Sequence, residues 1–317
     1  MRFLLLRLRR LLIVFFTVTV LTFVLVNVLP GDVAYDIAGQ DASEEEVQQI
    51  RKDLGLDRPV VVRYTEWLHN FVTGDWGKSF RTSEPVMEAI LSRFPVSFEL
   101  MIVGQTMALV LALPLALLSA WRPNSWMDRT IASGSFMSLS IPPFMAAIVL
   151  ILLFALYFDL FPATGYVPIG EDLWGNLSAF ILPGLSIALA EWTVLMRVLR
   201  ADLISVLQED YIALARAKGL PTWRILLLHA LRPASFSTIT IIGLQIGSLI
   251  GGSIIIETIF ALPGVGRLLI NAIYARDFLI VQGVVTFIAL GYVLINFTVD
   301  VLYLILDPRI RSERTHG

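Results

Sequence analysis

The chain has 317 residues, of which 56% are hydrophobic and 16% charged. Soluble domains carry about 25% charged residues, so this shortfall excludes an ordinary soluble enzyme and points to an integral membrane protein. A net charge of −2 offers no basic field for nucleic acid, and the absence of cysteine excludes disulfides, iron–sulfur clusters, thiolate zinc sites and cysteine nucleophiles.

A membrane-spanning helix needs about 20 apolar residues. The first such run is Leu11–Leu29. Arg2, Arg7, Arg9 and Arg10 precede it, as in a signal peptide, but its apolar core is longer than the roughly 7–15 residues of one, so it reads as a retained first span. Residues 31–97 follow as a long loop with twelve acidic and seven basic residues. Within it, Glu44-Glu45-Glu46 through Arg51-Lys52 predicts a short helix N-capped by Ser43, its charge order matched to the helix dipole. About 65 residues without cysteine are too few for a confident independent domain, so the loop is expected to pack on the membrane part or on a partner. The second span is Leu100–Trp121, with a kink expected at Pro114. The third run, Thr130–Phe158, is too long for one straight helix, and Pro142-Pro143 predicts a kink or break. A fourth span at about Leu177–Met196 requires Glu191 to be admitted. The fifth and sixth are Pro233–Ile256 and Phe278–Val299.

Fifteen of the 24 Lys and Arg residues fall in alternate segments, headed by residues 2–10, 122–129, 197–232 and 309–314. Short loops decide orientation, so both termini and residues 197–235 are predicted to be cytoplasmic, and the 31–97 loop lies on the other side.

Enzymatic readings fail on spacing. Gly77-Lys78-Ser79 ends like a phosphate-binding loop, but the motif needs glycine at position 72, which is Val72, and the stretch lies outside the cytoplasm. Gly184-Leu185-Ser186 looks like a nucleophile turn, yet His69, His229 and His316 all lie outside the apolar runs, so no intramembrane base is available. No cofactor site is expected on this chain.

The most informative stretch is Glu209 to Pro221. Glu209 and Asp210 suit a helix N-terminus, Lys218 the C-terminus, Gly219 the left-handed position beyond it, and Pro221 blocks continuation. The caps are expected at Asp210 and Gly219. Ala213 and Ala217 share one face of this helix, with Leu220 near it; Tyr211 and Ala215 are counted in the same docking helix, and a second helix is expected from Thr222 as its N-cap. The pattern fits either an interfacial helix or a rigid docking element for a soluble partner.

This segment resembles the coupling loop of ABC importer permeases, in the form D-Y-x-x-x-A-R-A-K-G-L found in the dipeptide/oligopeptide/nickel branch. The usual pattern is less well kept at Ala213, Leu214 and His229, and Pro233 falls one residue late. The rest of the chain resembles the same branch: Leu29-Pro30-Gly31-Asp32, Leu54-Gly55-Leu56-Asp57, Gly74-Asp75-Trp76-Gly77-Lys78-Ser79, Glu257 through Gly266, and Asp307-Pro308-Arg309. The long first loop resembles that of the B-type subunit. The resemblance implies an all-α fold of six spans, the type I importer permease, as one transmembrane domain in the bacterial inner membrane. It also implies a homologous C-type permease subunit, two cytoplasmic ATPase subunits that bind ATP and magnesium, and an extracytoplasmic solute-binding protein delivering di- or oligopeptides. Nickel or another metal chelate or small solute is the alternative cargo. A secondary transporter driven by an ion gradient is the less favoured class, because the capped helix would have no partner.

Two further sets of residues are singled out. Gly243, Gly247 and Gly251, with Ser253 nearby, form a small-residue face for helix packing or pore lining. Glu191, Glu257 and Asp300 are acids at or near membrane depth, read as structural ion pairs or snorkelling carboxylates rather than a proton relay.

Overall fold

The computed structural model describes residues 2–28, 33–38, 42–53 and 55–306. Leu29 to Asp32, Leu54, Asp307 to Arg309 and His316 lie outside the described residues, as does the side chain of Asp300. The described chain is built from helices: α1 Arg2–Val28, α2 Val33–Ala38, α3 Glu44–Asp53, α4 Val60–Thr73, α5 Val86–Trp121, α6 Trp126–Ser140, α7 Pro143–Tyr157, α8 Leu173–Val206, α9 Asp210–Ala217, α10 Thr222–Gly252, α11 Ile254–Ile259, α12 Val265–Tyr274 and α13 Phe278–Leu306.

Helices α5, α8, α10 and α13 are long and apolar enough to cross a membrane, and α6 with α7 makes a fifth candidate span bent by 97°. The bend falls at Pro142-Pro143: Pro142 takes extended backbone (φ −59°, ψ 143°) as the N-cap and Pro143 opens α7, as a residue without N–H does at a first turn. In α1 the apolar stretch of described residues is Leu11–Val24. The other prolines do not interrupt their helices. α5 runs through Pro95 and Pro114, and α8 through Pro183. α10 runs through Pro233, just after a π-wound stretch, Ile225–Ala230, where a missing N–H is more easily accommodated.

Two compact units are formed. One comprises Met1–Ser97 and Pro263–Val293, the other Phe98–Leu262 and Leu294–Gly317, so α5 and α13 each belong partly to both. In the first unit, the Ser43 cap of α3 forms as predicted, Ser43 Oγ accepting from Glu46 N–H (3.3 Å), and Glu46 completes a capping box by accepting from Ser43 N–H at Oε2 (2.9 Å). α4 was not foreseen. It carries an aromatic ladder in which Phe23 packs on Tyr64, Trp67 on Phe71, and Phe71 stacks on Trp76 at 4.3 Å. This ladder ties the long loop to α1, and α5 begins at Val86, within the predicted loop.

In the second unit α8 is the central helix, with 67% of its apolar window buried against 22% for α10. Small residues let α5 and α8 touch: a Cβ on Gly104 would sit 2.9 Å from Ile187, and one on Gly184 would sit 2.8 Å from Val103. Ser186 is buried and donates to Leu182 C=O (2.8 Å), an ordinary helix back-bond. α6 is fixed to α8 by Trp192 Nε1–H to Ser138 Oγ (2.9 Å) and Thr193 Oγ1–H to Ser135 C=O (3.2 Å).

Candidate functional site

The predicted docking segment folds as α9. Its N-cap position is Glu209, in extended backbone, rather than Asp210, which lies in the first turn. The Glu209 side chain makes no capping hydrogen bond among the described residues; its carbonyl accepts the N–H groups of Ile212 (3.0 Å) and Ala213 (3.2 Å). The acids therefore act at this end through charge alone. The other end is closed by backbone. Gly219 N–H donates to Arg216 C=O (2.9 Å) and Leu220 N–H to Ala215 C=O (3.3 Å), the paired bonds of a Schellman motif. Gly219 supplies the left-handed residue this requires (φ +73°). Thr222 is the first residue of α10 and Pro221 takes the N-cap position, so the expected threonine cap is absent.

Ile212 and Ala215 are the buried anchors of α9. They join one apolar core with Ala120 of α5, Leu199 and Leu203 of α8, and Ile225 and Ala230 of α10. The opposite face is open. Tyr211 (46% exposed) and Leu214 (56%) stand outward with Ala213, Ala217 and Lys218, and Trp223 and Leu228 of α10 are exposed nearby in sequence. Burial, then the charge of Glu209, pushes the Tyr211 phenol above its ordinary value. An exposed apolar face on a short helix fixed from behind is the form of a protein contact.

Ser119 and Arg200, next in sequence to Ala120 and Leu199 of this core, belong to a polar clasp that sequence reasoning missed. Asp128 of α6 is 4% exposed. Arg200 of α8 grips it with a two-pronged contact, Nε to Oδ1 (2.8 Å) and Nη2 to Oδ2 (2.7 Å). Ser119 of α5 donates to Asp128 Oδ1 and accepts from Arg200 Nε (2.8 Å), and Asn124 N–H donates to Oδ2 (2.7 Å). One carboxylate thus holds the α5–α6 turn and α8 together.

A second unforeseen chain joins α5, α8 and α10. Gln105 Nε2 donates to Gln245 Oε1 (3.3 Å), and Gln245 Nε2 donates to the carbonyl of Glu191 (3.1 Å). Among the described residues Gln105 Oε1 has no partner. The Glu191 side chain is half-buried. Glu257 lies past the end of α10 in α11, fully buried, and accepts from Ser253 Oγ (2.9 Å). On the small-residue face, a Cβ on Gly243 would sit 2.1 Å from Val299 Cγ2, so only glycine permits α10 and α13 to touch there. Gly247 is buried and Gly251 half-buried.

The motif that mimics a phosphate loop is a latch. Asp75 Oδ1 accepts from Gly77 N–H (3.0 Å), and Gly77 is left-handed (φ +80°). Ser79 then donates its hydroxyl to the buried carboxylate of Asp277 and accepts from the N–H groups of Arg81 (3.2 Å) and Thr82 (3.0 Å). Asp277 caps α13 through Ile280 N–H (3.4 Å).

The profile of the family described as binding-protein-dependent transport system inner membrane component matches residues 112–312, and that of its N-terminal region matches residues 1–101. A protein of Brucella abortus (strain 2308) that carries the name of a peptide transport system permease is 42% identical over 296 residues, 93% of this chain and 94% of that protein. The glutathione transport system permease protein GsiC of Escherichia coli (strain K12) is 37% identical over 300 residues, 94% of this chain and 95% of its own length. DdpB of the same organism, named for D,D-dipeptide transport, is 37% identical over 315 residues, 92% of each chain.

Proposed function

Because the chain belongs to the family of binding-protein-dependent transport system inner membrane components, we propose that it is the pore-forming permease subunit of an ATP-driven importer of di- and oligopeptides. It is a multi-pass protein of the bacterial inner membrane. Relatives named for peptide, dipeptide and glutathione transport support the peptide class. The chain carries no cofactor of its own in this reading. Two cytoplasmic ATPases bind ATP and magnesium, a homologous C-type subunit completes the pore, and an extracytoplasmic binding protein delivers the peptide.

The observation that carries the reading is α9, capped by its own backbone, anchored by Ile212 and Ala215, and open at Tyr211 and Leu214. A helix of eight residues is too short to persist alone, so its order comes from the core behind it and its outer face is left for a partner. ATP-driven closure of the ATPases pushes on α9, and the shared core passes that displacement to α5, α8 and α10. The Gly243 face serves packing between α10 and α13, and the exposed face of α10 meets the second subunit or lipid. Glu257 acts as a structural acid.

The test is co-purification of the ATPases with the chain and with Gly219→Pro, together with peptide uptake. Two ATPase subunits recovered with the natural chain and lost with the variant are expected, with hydrolysis stimulated by peptide-loaded binding protein. Uptake that follows an ion gradient without any ATPase would overturn the reading.

A further inference from the structure

Glu191 interrupts the apolar stretch of α8, and the ion pair expected for it does not form. Among the described residues its carboxylate meets no cation and accepts no hydrogen bond. The two basic residues that follow on the same helix are already engaged. Arg197 stands over the ring of Phe136 (4.6 Å to its centre), and Arg200 grips Asp128. The backbone carbonyl of Glu191 accepts from Gln245 of α10, and Gln245 accepts from Gln105 of α5, so one polar level crosses three helices of the second unit. Both glutamines are buried, whereas the Glu191 side chain stays half-exposed, with Val194 open one turn further on. The glutamines therefore fix the turn of α8 that carries the acid without quenching its charge. Gln105 Oε1 leaves a second unpartnered acceptor at this level.

A charge at bilayer depth faces water or an opposite charge, so lipid is a poor cover for this face of α8. We infer that Glu191 lines the translocation path and receives the protonated amino terminus of the passing peptide; this rests on the transport reading above. A carboxylate with no fixed counter-ion is matched by a primary ammonium group, which brings charge and three donors at once. A divalent cation needs several oxygen or nitrogen ligands, and no group of three acidic or histidine side chains fit to hold one occurs among the described residues. Every linear peptide with a free terminus carries the ammonium group, whereas only some carry lysine, so the terminus is the natural source. A single carboxylate also suits passage, because a site on a path must bind weakly enough to let its occupant leave.

The chain has no cysteine, so Glu191→Cys places a single thiol at this position. In the purified complex, with the partner subunits freed of cysteine, a cationic methanethiosulfonate is expected to label it, because the reactive thiolate forms where water reaches. A thiol that stays unlabelled overturns the path. The second measurement is binding of trialanine dansylated through its C-terminus, and of its N-acetyl form, to the complex of permease and ATPase subunits without binding protein. The natural chain is expected to prefer the free amine about tenfold, the worth of a charge-assisted hydrogen bond, and Glu191→Gln, which keeps the shape, to erase that preference. Equal binding of both forms by the natural chain, or a preference that survives Glu191→Gln, overturns the assignment. An N-acetylated peptide with a central lysine is expected to bind as weakly as N-acetyl trialanine; binding as tight as the free amine would overturn the terminus as the source. If Glu191→Gln instead loosens the second permease subunit while the amine preference stays, the acid pairs with a cation of that subunit and the assignment fails. ATP-dependent uptake by the natural complex is read separately: its absence rejects the importer reading, whereas a missing amine preference with intact uptake rejects the role of Glu191 alone.

Discussion

Gly77 and Gly219 occupy the two polar segments that matter most, and both adopt left-handed backbone (φ +80° and +73°). Their surroundings differ. A Cβ on Gly77 would meet Leu279 at 3.2 Å, whereas one on Gly219 would meet nothing within 4 Å among the described residues. Around Gly77 the chain is locked by side chains: Asp75 on its own N–H, then Ser79 on the buried Asp277. Around Gly219 it is held by two backbone bonds and two apolar anchors, and the outer face is bare. The same backbone device thus serves a rigid latch in one place and a presented surface in the other. Burial of polar partners separates a segment built to stay from one built to be touched.

The contrast breaks first if the α5, α6 and α8 scaffold, whose α5 and α8 share a core with α9, is not rigid. Asp128→Ala strands the Arg200 guanidinium without its carboxylate and is expected to cost about 3 kcal/mol, near the lower end for a broken buried pair because Arg200 is 29% exposed. Thermal unfolding of the purified complex measures it. The double replacement Asp128→Leu with Arg200→Met should recover most of the loss, since no charge is then left unpaired. A double variant as unstable as the single one would show that shape rather than charge pairing holds the clasp.

The latch comes next. Ser79→Ala removes the hydroxyl that donates to buried Asp277 and is expected to cost about 1–3 kcal/mol, the range for a stranded buried group. Hydrogen exchange across residues 77–85 should rise, while α9 stays unchanged. The two glycines then give a direct comparison. Gly219→Ala should cost about 1–2 kcal/mol from backbone strain alone, and Gly77→Ala more, because its Cβ must also displace Leu279. Equal costs would mean that the latch is softer than its contacts indicate.

What was legible in the sequence was local. The Ser43 N-cap, the closing glycine at 219 and the break at Pro142-Pro143 are each specified within a few residues, and each formed. α4 was missed because Val60, Val61, Val62 and Thr65 argue against a helix and Pro59 offers no cap; its aromatic face on Phe23 overrides that propensity. The start of α5 was placed late because Glu88, Arg93 and Glu99 interrupt the apolar run without ending the helix. The polar pairs were out of reach for another reason. Ser79 and Asp277 are 198 residues apart, Gln105 and Gln245 140, and Asp128 and Arg200 72. Nothing in one segment names its partner in the other; only the packed register does. The sequence-level signal was the isolated Asp128 two residues from an apolar run, which demands a partner without identifying it.

The smallest expected change in stability carries the largest consequence for the docking reading. Leu214 is 56% exposed and lies opposite the Ile212 and Ala215 anchors. Leu214→Ser removes no buried contact, so the unfolding midpoint should shift by less than the equivalent of about 0.5 kcal/mol. If α9 is the docking surface, the same substitution removes apolar area from the centre of an interface, where truncations cost about 2 kcal/mol or more. Recovery of the ATPase subunits on the permease should then fall about thirtyfold at limiting concentration, as that energy implies. Ala217→Ser, exposed on the same helix, is the matched control: its small volume change should leave docking nearly intact. A Leu214→Ser variant that holds its ATPases as firmly as the natural chain would place the contact elsewhere. The bare face of α9 would then be lipid-facing, and its difference from the Gly77 latch would be one of solvent rather than of partner.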